Sequence, residues 1–155
     1  MDDLERTVRK LAAAEDIKKL KAYYAHLCDI GYPPDRIADL FVEDGIWDGG
    51  EMFGVQRGKQ AIHDFFDGVR GSISWALHYM IAPSIEVADD LQSATGSWYL
   101  WQPCTVDGQP IWLAGLYNDV YVNVDGTWKY KELHLDLQAA TPFDKGWVEQ
   151  RYIGK

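Results

Sequence analysis

The chain has 155 residues and a formal net charge of -9, long enough for one domain with a sizeable core and of the wrong sign for nucleic acid or an anionic membrane. Hydrophobic residues make up 47% of it and aromatic residues 14%, with 7 Trp and 9 Tyr, side chains that pack in cores and also line cavities for flat apolar ligands. No apolar run approaches membrane-spanning length, the charged start Met1-Asp2-Asp3-Leu4-Glu5-Arg6 is no signal peptide, and Cys28 and Cys104 lack metal or redox spacing, so a reduced, cytoplasmic protein is expected.

Residues 3–29 read as a helix with a break expected near Ala13–Glu15. Leu4, Val8, Leu11, Ile17, Leu20, Tyr24 and Leu27 fall mostly three or four apart and form one apolar stripe. Lys18, Lys19 and Lys21 fall off that stripe. Two residues fit a plain surface helix badly. Tyr24 puts a phenol in the middle of the buried face. Asp29 is an acid at the helix end, next to Gly31 and Pro33-Pro34, where the dipole disfavours it. On local grounds Tyr24 is a core tyrosine and Asp29 caps the next turn; a catalytic role is the alternative.

Asp35 is an N-cap for a short helix, Arg36–Val42, which Glu43-Asp44-Gly45 ends. Ile46-Trp47 begins a short strand, turned by Gly49-Gly50. Gly58 leads into a helix over Lys59–Val69, with Ile62, Phe65, Phe66 and Val69 on one side. The period then changes. Ser74–Ala88 alternates in places and carries Pro83, the sign of a bulge or an edge. Long strands are expected at Leu91–Cys104, Pro110–Val124 and Thr127–Ala139, the last two joined by the hairpin signal Asp125-Gly126. A tail follows whose Phe143, Trp147 and Tyr152 need somewhere to pack. Helices first and antiparallel strands after give an α+β fold, with the helices closing a strongly bent sheet into a cone with a pocket.

His78 stands mid-strand among apolar neighbours, where a buried imidazole needs a partner. Asp29 is the best-placed acid on this topology. A carboxylate on one ring nitrogen fixes the tautomer and leaves the other as a base. The plain alternative is a satisfied core histidine. His26 and His63 read as surface. His134 shares strand parity with Trp128, Tyr130 and Glu132, so if that face is concave, Glu132 and His134 enter the pocket. There is no GxGxxG, P-loop, HExxH or GxSxG, and no metal spacing; no metal site and no cofactor are expected.

Glu15-Asp16-Ile17…Leu20…Tyr24…Asp29, followed by Leu40-Phe41-Val42-Glu43-Asp44-Gly45-Ile46-Trp47, resembles the opening of SnoaL-like proteins of the NTF2-like superfamily. Gly58-Lys59-Gln60-Ala61-Ile62, His78…Pro83-Ser84-Ile85-Glu86-Val87, Ala94-Thr95-Gly96-Ser97-Trp98-Tyr99-Leu100 and Tyr117-Asn118-Asp119-Val120-Tyr121 continue the resemblance over nearly the whole chain. Within the superfamily the chain is similar to the group of bile-acid dehydratase, scytalone dehydratase and hexachlorocyclohexane dehydrochlorinase. That resemblance implies an NTF2-like cone over residues 1–155 and a cofactor-free lyase with Asp29 and His78 as its dyad. It also implies that Tyr24 stands where the dehydratases place a tyrosine and the dehydrochlorinase a lysine. Gln102 departs from it: the bile-acid enzyme has an acid there. The superfamily also holds isomerases, cyclases and non-catalytic binding domains, so fold alone does not settle function.

The expectation is therefore a dehydratase acting on a hydrophobic cyclic molecule of steroid or polyketide type. His78 takes a proton from carbon, Asp29 orients the ring and Tyr24 donates a hydrogen bond. Trp47, Phe53, Trp75, Trp98 and Tyr117 are wall residues. The alternatives are a ketosteroid-type isomerase and a binding module. The aromatic tail and the habit of the dehydratases predict a homo-oligomer, a trimer or a dimer.

Overall fold

The computed structural model describes residues 2–154. A single helix, α1 (Asp3–Asp29), opens the chain. Asp2 caps it, its carboxylate accepting the Glu5 N–H at 2.7 Å. The expected break near Ala13–Glu15 does not occur. At the far end the Gly31 N–H bonds the Cys28 carbonyl at 3.3 Å and the Tyr32 N–H bonds the Leu27 carbonyl at 3.0 Å. That reversal needs a left-handed backbone, which Gly31 supplies at φ +101°. Tyr32 follows at φ +56° with its ring buried.

The short α2 (Pro34–Ala38) starts before the predicted Arg36 and ends well before Val42, because the chain leaves it early to enter β1 (Phe41–Asp48). Then come α3 (Gly50–Phe53), β2 (Val55–Arg57), α4 (Lys59–Ser72), β3 (Ile73–Ala76), β4 (Tyr79–Val87), β5 (Ser93–Val106), β6 (Gln109–Val124), β7 (Thr127–Pro142) and α5 (Gly146–Glu149). The sheet runs β2-β1-β7-β6-β5-β3, with β4 also paired to β5. All pairs are antiparallel except β1 with β7.

The helices cover the concave face. Ile17, Tyr24 and Leu27 of α1, Ile37 of α2 and Ile62 and Phe66 of α4 meet Phe41, Trp98, Tyr121, Tyr130 and Leu133 of the sheet in one core. Each such side chain contributes about 1.5–3 kcal/mol when fully buried. Only the second half of the apolar stripe on α1 takes part: Leu4, Val8 and Leu11 are exposed. Conversely Lys21, placed off the stripe by its charge, is fully buried.

Two bulges set which side chains face inward. Along β6–β7, Tyr121 pairs with Tyr130 but Val120 pairs with Glu132, so Lys131 is an extra residue. Near the other end Ala114 pairs with Ala139 but Gly115 with Leu137, leaving Gln138 extra. Each insertion reverses the alternation that follows it. The tail also finds a place on its own chain in part. Tyr152 forms a parallel bridge with Ala140, and its hydroxyl donates to the Gln138 carbonyl at 3.1 Å. Phe143 and Trp147 remain exposed.

Candidate active site

His78 is not mid-strand but in the gap between β3 and β4, and the backbone explains the gap. Ala76 pairs with Cys104 and Tyr79 with Trp101, so the register runs through unbroken and sets His78 across from Gln102. Opposite Leu77 is Pro103, which accepts the Leu77 N–H at 3.1 Å but has no N–H to return. Successive N–H groups of a strand point to opposite sides, so the His78 N–H points away from β5. It donates to Asp29 Oδ1 at 2.9 Å. The same oxygen lies 2.7 Å from His78 Nδ1.

A carboxylate only accepts, so Nδ1 carries the proton and Nε2 is left with a lone pair. Asp29 thus holds one residue by backbone and by ring. Its place at the last residue of α1, unfavourable against the dipole, is offset by these two donors. The His78 side chain is 6% exposed and that of Asp29 23%. The Tyr32 ring meets the imidazole edge-on, centroids 6.0 Å apart.

The imidazole borders a cavity that also includes Tyr24, Tyr32, Trp47, Phe53, Phe65, Phe66, Val69, Ile73, Gln102, Leu113, Tyr117 and Leu135. It is tight. Its volume is about 40 Å³. Half-buried Phe53, Phe65, Val69 and Ile73 form its mouth, and buried Tyr24, Trp47, Tyr117 and Leu135 its floor. A larger hollow, about 570 Å³, lies elsewhere, between α3, β7 and the tail. It lacks the dyad, so size does not choose the site here.

The Tyr24 hydroxyl accepts the Trp47 Nε1–H at 3.0 Å. Gly49 makes room for this indole: a Cβ there would stand 2.6 Å from the ring. Burial pushes the Tyr24, Tyr32 and Tyr117 phenols well above their ordinary pKa, so all three remain O–H donors at physiological pH. The Cys28 thiol beside Tyr24 is pushed up by burial too.

Of the residues expected from sequence, Asp29, His78, Tyr24, Trp47, Phe53 and Tyr117 converge here. Four do not. Trp75 is exposed on β3, where Ala76 takes the inward position. Trp98 is buried deeper, its Nε1–H donating to the Tyr121 hydroxyl at 3.1 Å. Glu132 and His134 face outward, because the extra residue Lys131 separates their parity from that of Tyr130. His134 Nδ1 there meets Asp48 Oδ2 at 3.1 Å. Gln102 is the member sequence reading passed over as a wall residue: 3% exposed, it shares the inward face of β5 with Trp98 and Leu100. The cavity's phenols, amide and single imidazole are no ligand set for a metal, and among the described residues no group of three or more His, Cys, Asp or Glu is placed to hold one.

With this geometry the relatives can be read. The model of the SnoaL-like domain matches residues 9–134. The chain belongs to the SnoaL-like domain family. Comparison with curated proteins gave no match. Among solved structures, the chain is similar to a proposed scytalone dehydratase of Novosphingobium aromaticivorans, at 24% identity over 96% of this chain and 98% of that one, TM-score 0.79. It is similar to the hexachlorocyclohexane dehydrochlorinase LinA-type3 of Novosphingobium barchaimii, at 23% over 92% and 94%, TM-score 0.76. An NTF2-like protein with a cystatin-like fold from Novosphingobium aromaticivorans follows at 22% over 89% and 92%, TM-score 0.73. The fold is thus the NTF2-like cone, helices against a strongly curled mixed sheet, and the solved structures it resembles include proteins named as a dehydratase and as a dehydrochlorinase. Among the described residues no helix is long and apolar enough to cross a membrane.

Proposed function

We propose that the chain is a cofactor-independent lyase, a dehydratase acting on a small hydrophobic cyclic molecule that bears a carbonyl and a β-hydroxyl. The observation that carries this is the Asp29–His78 pair: Nδ1 held at 2.7 Å by a carboxylate, on a ring that borders an aromatic cavity. His78 Nε2 takes the proton from the carbon next to the carbonyl. The C–H electron pair forms an enolate, whose oxygen is stabilised by hydrogen bonds from the phenols at the Tyr24 end. The enolate then re-forms the carbonyl and expels the β-hydroxyl, which takes the proton from the imidazolium and leaves as water. His78 ends neutral, and Asp29 stays ionised throughout, balancing the imidazolium. The tight cavity requires Phe53, Phe65 or Val69 to give way for a ring, and all three are at its half-buried mouth.

A panel of hydroxylated cyclic ketones assayed by mass tests this. The expected product has lost water, and His78→Ala lowers its formation on the order of a hundred- to ten-thousand-fold. A product of unchanged mass would move the reading to a ketosteroid-type isomerase, and binding without turnover to a binding module.

We also propose that the chain self-associates. Tyr79, Ile81, Tyr99, Phe143 and Trp147 are exposed. Tyr79 pairs with Trp101 and Ile81 with Tyr99 across β4–β5, which puts them on one face, the convex one. Trp101 stacks on Trp112 with ring centroids 5.1 Å apart, and Trp147 and Phe143 extend the patch at 6.3 and 6.0 Å. A continuous apolar patch of this kind marks an interface. A homo-oligomer scatters light at a multiple of the 17.7 kDa chain mass; a result at the chain mass rejects the proposal.

A further inference from the structure

Behind the tyrosines lies a polar cluster that the proton transfer does not use. Lys21 and Asp119 have fully buried side chains, with Nζ 2.7 Å from Oδ2. The same oxygen accepts the Tyr121 hydroxyl at 2.8 Å, and that hydroxyl accepts the Trp98 indole N–H at 3.1 Å. Desolvating two ions makes such a pair a weak source of stability, and apolar residues of similar volume often serve as well. Its direction is more informative. Lys21 Nζ is 3.4 Å from the centre of the Tyr117 ring, against 5.6 Å for Tyr24, 5.8 Å for Tyr130 and 5.9 Å for Trp98. The ring it rests on, Tyr117, walls the cavity together with Tyr24. Asp119 is bonded instead to Tyr121, which does not. The cationic end of the pair therefore faces the cavity's phenols.

We propose that Lys21 is a positioning residue for an oxyanion: its charge, resting on the Tyr117 ring, strengthens the Tyr117 and Tyr24 hydroxyls as donors to a negatively charged oxygen in the cavity. A cation over a ring face attracts the ring's π density, more so when both are desolvated. Density drawn toward the cation leaves the phenol O–H more polar and a stronger donor. Hydrogen bonds to an ionised acceptor gain most from a more polar donor. Lys21 itself touches no ligand; Tyr117 and Tyr24 stand between. The ligand class that follows is a flat enol or phenol bound as its anion. This rests on the proposed function in one respect, that the tyrosine end of the cavity receives the oxygen.

The test uses the full chain with 4-nitrophenol, buffered below that phenol's own pKa, and nitrobenzene as a neutral analogue. The wild type is expected to bind the phenol with its phenolate absorption band. Lys21→Met/Asp119→Asn removes both charges together, so no unpaired ion is left buried. It is expected to weaken phenolate binding about tenfold while nitrobenzene binding holds. Tyr117→Phe, with Lys21 in place, is expected to lose the same preference, and this arm stands even where the double variant fails to fold. Binding of the phenol only in its neutral form by the wild type would overturn the proposal. So would an unchanged phenolate-to-nitrobenzene ratio in a folded double variant, or in Tyr117→Phe. No turnover is involved, so failure here leaves the proton-transfer reading standing, and failure of that reading shows only in the His78→Ala assay.

Discussion

Asp29 Oδ1 accepts both the His78 backbone N–H and its Nδ1–H, so the residue is fixed in place and in tautomer at once. The two effects separate by substitution. Asp29→Asn can hold the ring in the wrong tautomer, with the amide donating to Nδ1. Turnover is expected to fall on the order of a hundred- to ten-thousand-fold while the thermal midpoint moves little. Tyr24→Phe keeps the packing against Phe66 and Tyr130 and removes one donor, so its loss is smaller. If His78 were only a core residue, His78→Ala would lower the midpoint in proportion to any activity lost. Gln102 makes a different claim. Its amide lies across from His78 in a wall that includes Leu113 and Leu135, where a neutral amide suits a neutral carbonyl or hydroxyl. Gln102→Leu is expected to raise KM more than it lowers kcat, with stability kept or raised. Steady-state kinetics on the best substrate found would refute this if both constants were unchanged.

At the scale of elements, one of the two extra residues of β7 sets the inward face of its middle. Lys131 is the unpaired residue of its bulge, and the alternation beyond it puts Leu133 and Leu135 in the core. Deleting Lys131 would turn those leucines outward and His134 inward. The deletion is expected to abolish the native near-ultraviolet circular dichroism, whereas Lys131→Ala, which keeps the count, is expected to fold. The link between α1 and β6 gives a second test. Burial holds the Lys21 amine below and the Asp119 carboxyl above their ordinary pKa, so each charge is disfavoured by folding. Removing one partner strands the other: Lys21→Met alone is expected to cost about 3–5 kcal/mol. Lys21→Met/Asp119→Leu is expected to be close to neutral or more stable. Urea denaturation of the two variants decides between this and a pair that is the fold's main support.

For the whole molecule, the cone buries both thiols and leaves its convex face bare. Burial raises the Cys104 thiol from its ordinary 9.0 to about 11 and Cys28 further. A thiol whose folded pKa is raised contributes its full stability below the unfolded value and loses it as pH rises through the folded one. Part of the alkaline destabilisation between pH 9.0 and about 11 is therefore assigned to Cys104, and Cys104→Ala should flatten it. At neutral pH a thiol reagent is expected to label neither cysteine until denaturant is added; rapid labelling of the native protein would show an open cavity floor. On the convex face, Tyr99→Glu would set a charge in the middle of the apolar patch and is expected to reduce the scattering mass of the assembly. An unchanged mass would place the interface elsewhere.

The sequence by itself determined the order of elements, helices before long antiparallel strands, because periodicity and turn chemistry are local. It also marked Asp29 and His78, each of which conflicts with its own surroundings: an acid at a helix C-terminus and an imidazole among apolar residues. The aromatic residues Trp47, Phe53 and Tyr117 were named as walls together with Trp75 and Trp98, and these three line the cavity. What it could not determine were facts of alignment between distant segments. Trp75, Trp98, Glu132 and His134 were placed in the wall on residue type or strand parity. Parity holds only while no residue is inserted, and a bulge is visible only once Tyr130 and Glu132 are set against Tyr121 and Val120. Lys21 lay off the apolar stripe because its charge argues for water. Only tertiary structure could bring it Asp119, 98 positions along the chain, and so make its burial possible. Gln102 gained its place in the cavity the same way, from a register that sets it across from His78, and no property of a glutamine in a strand foretells that.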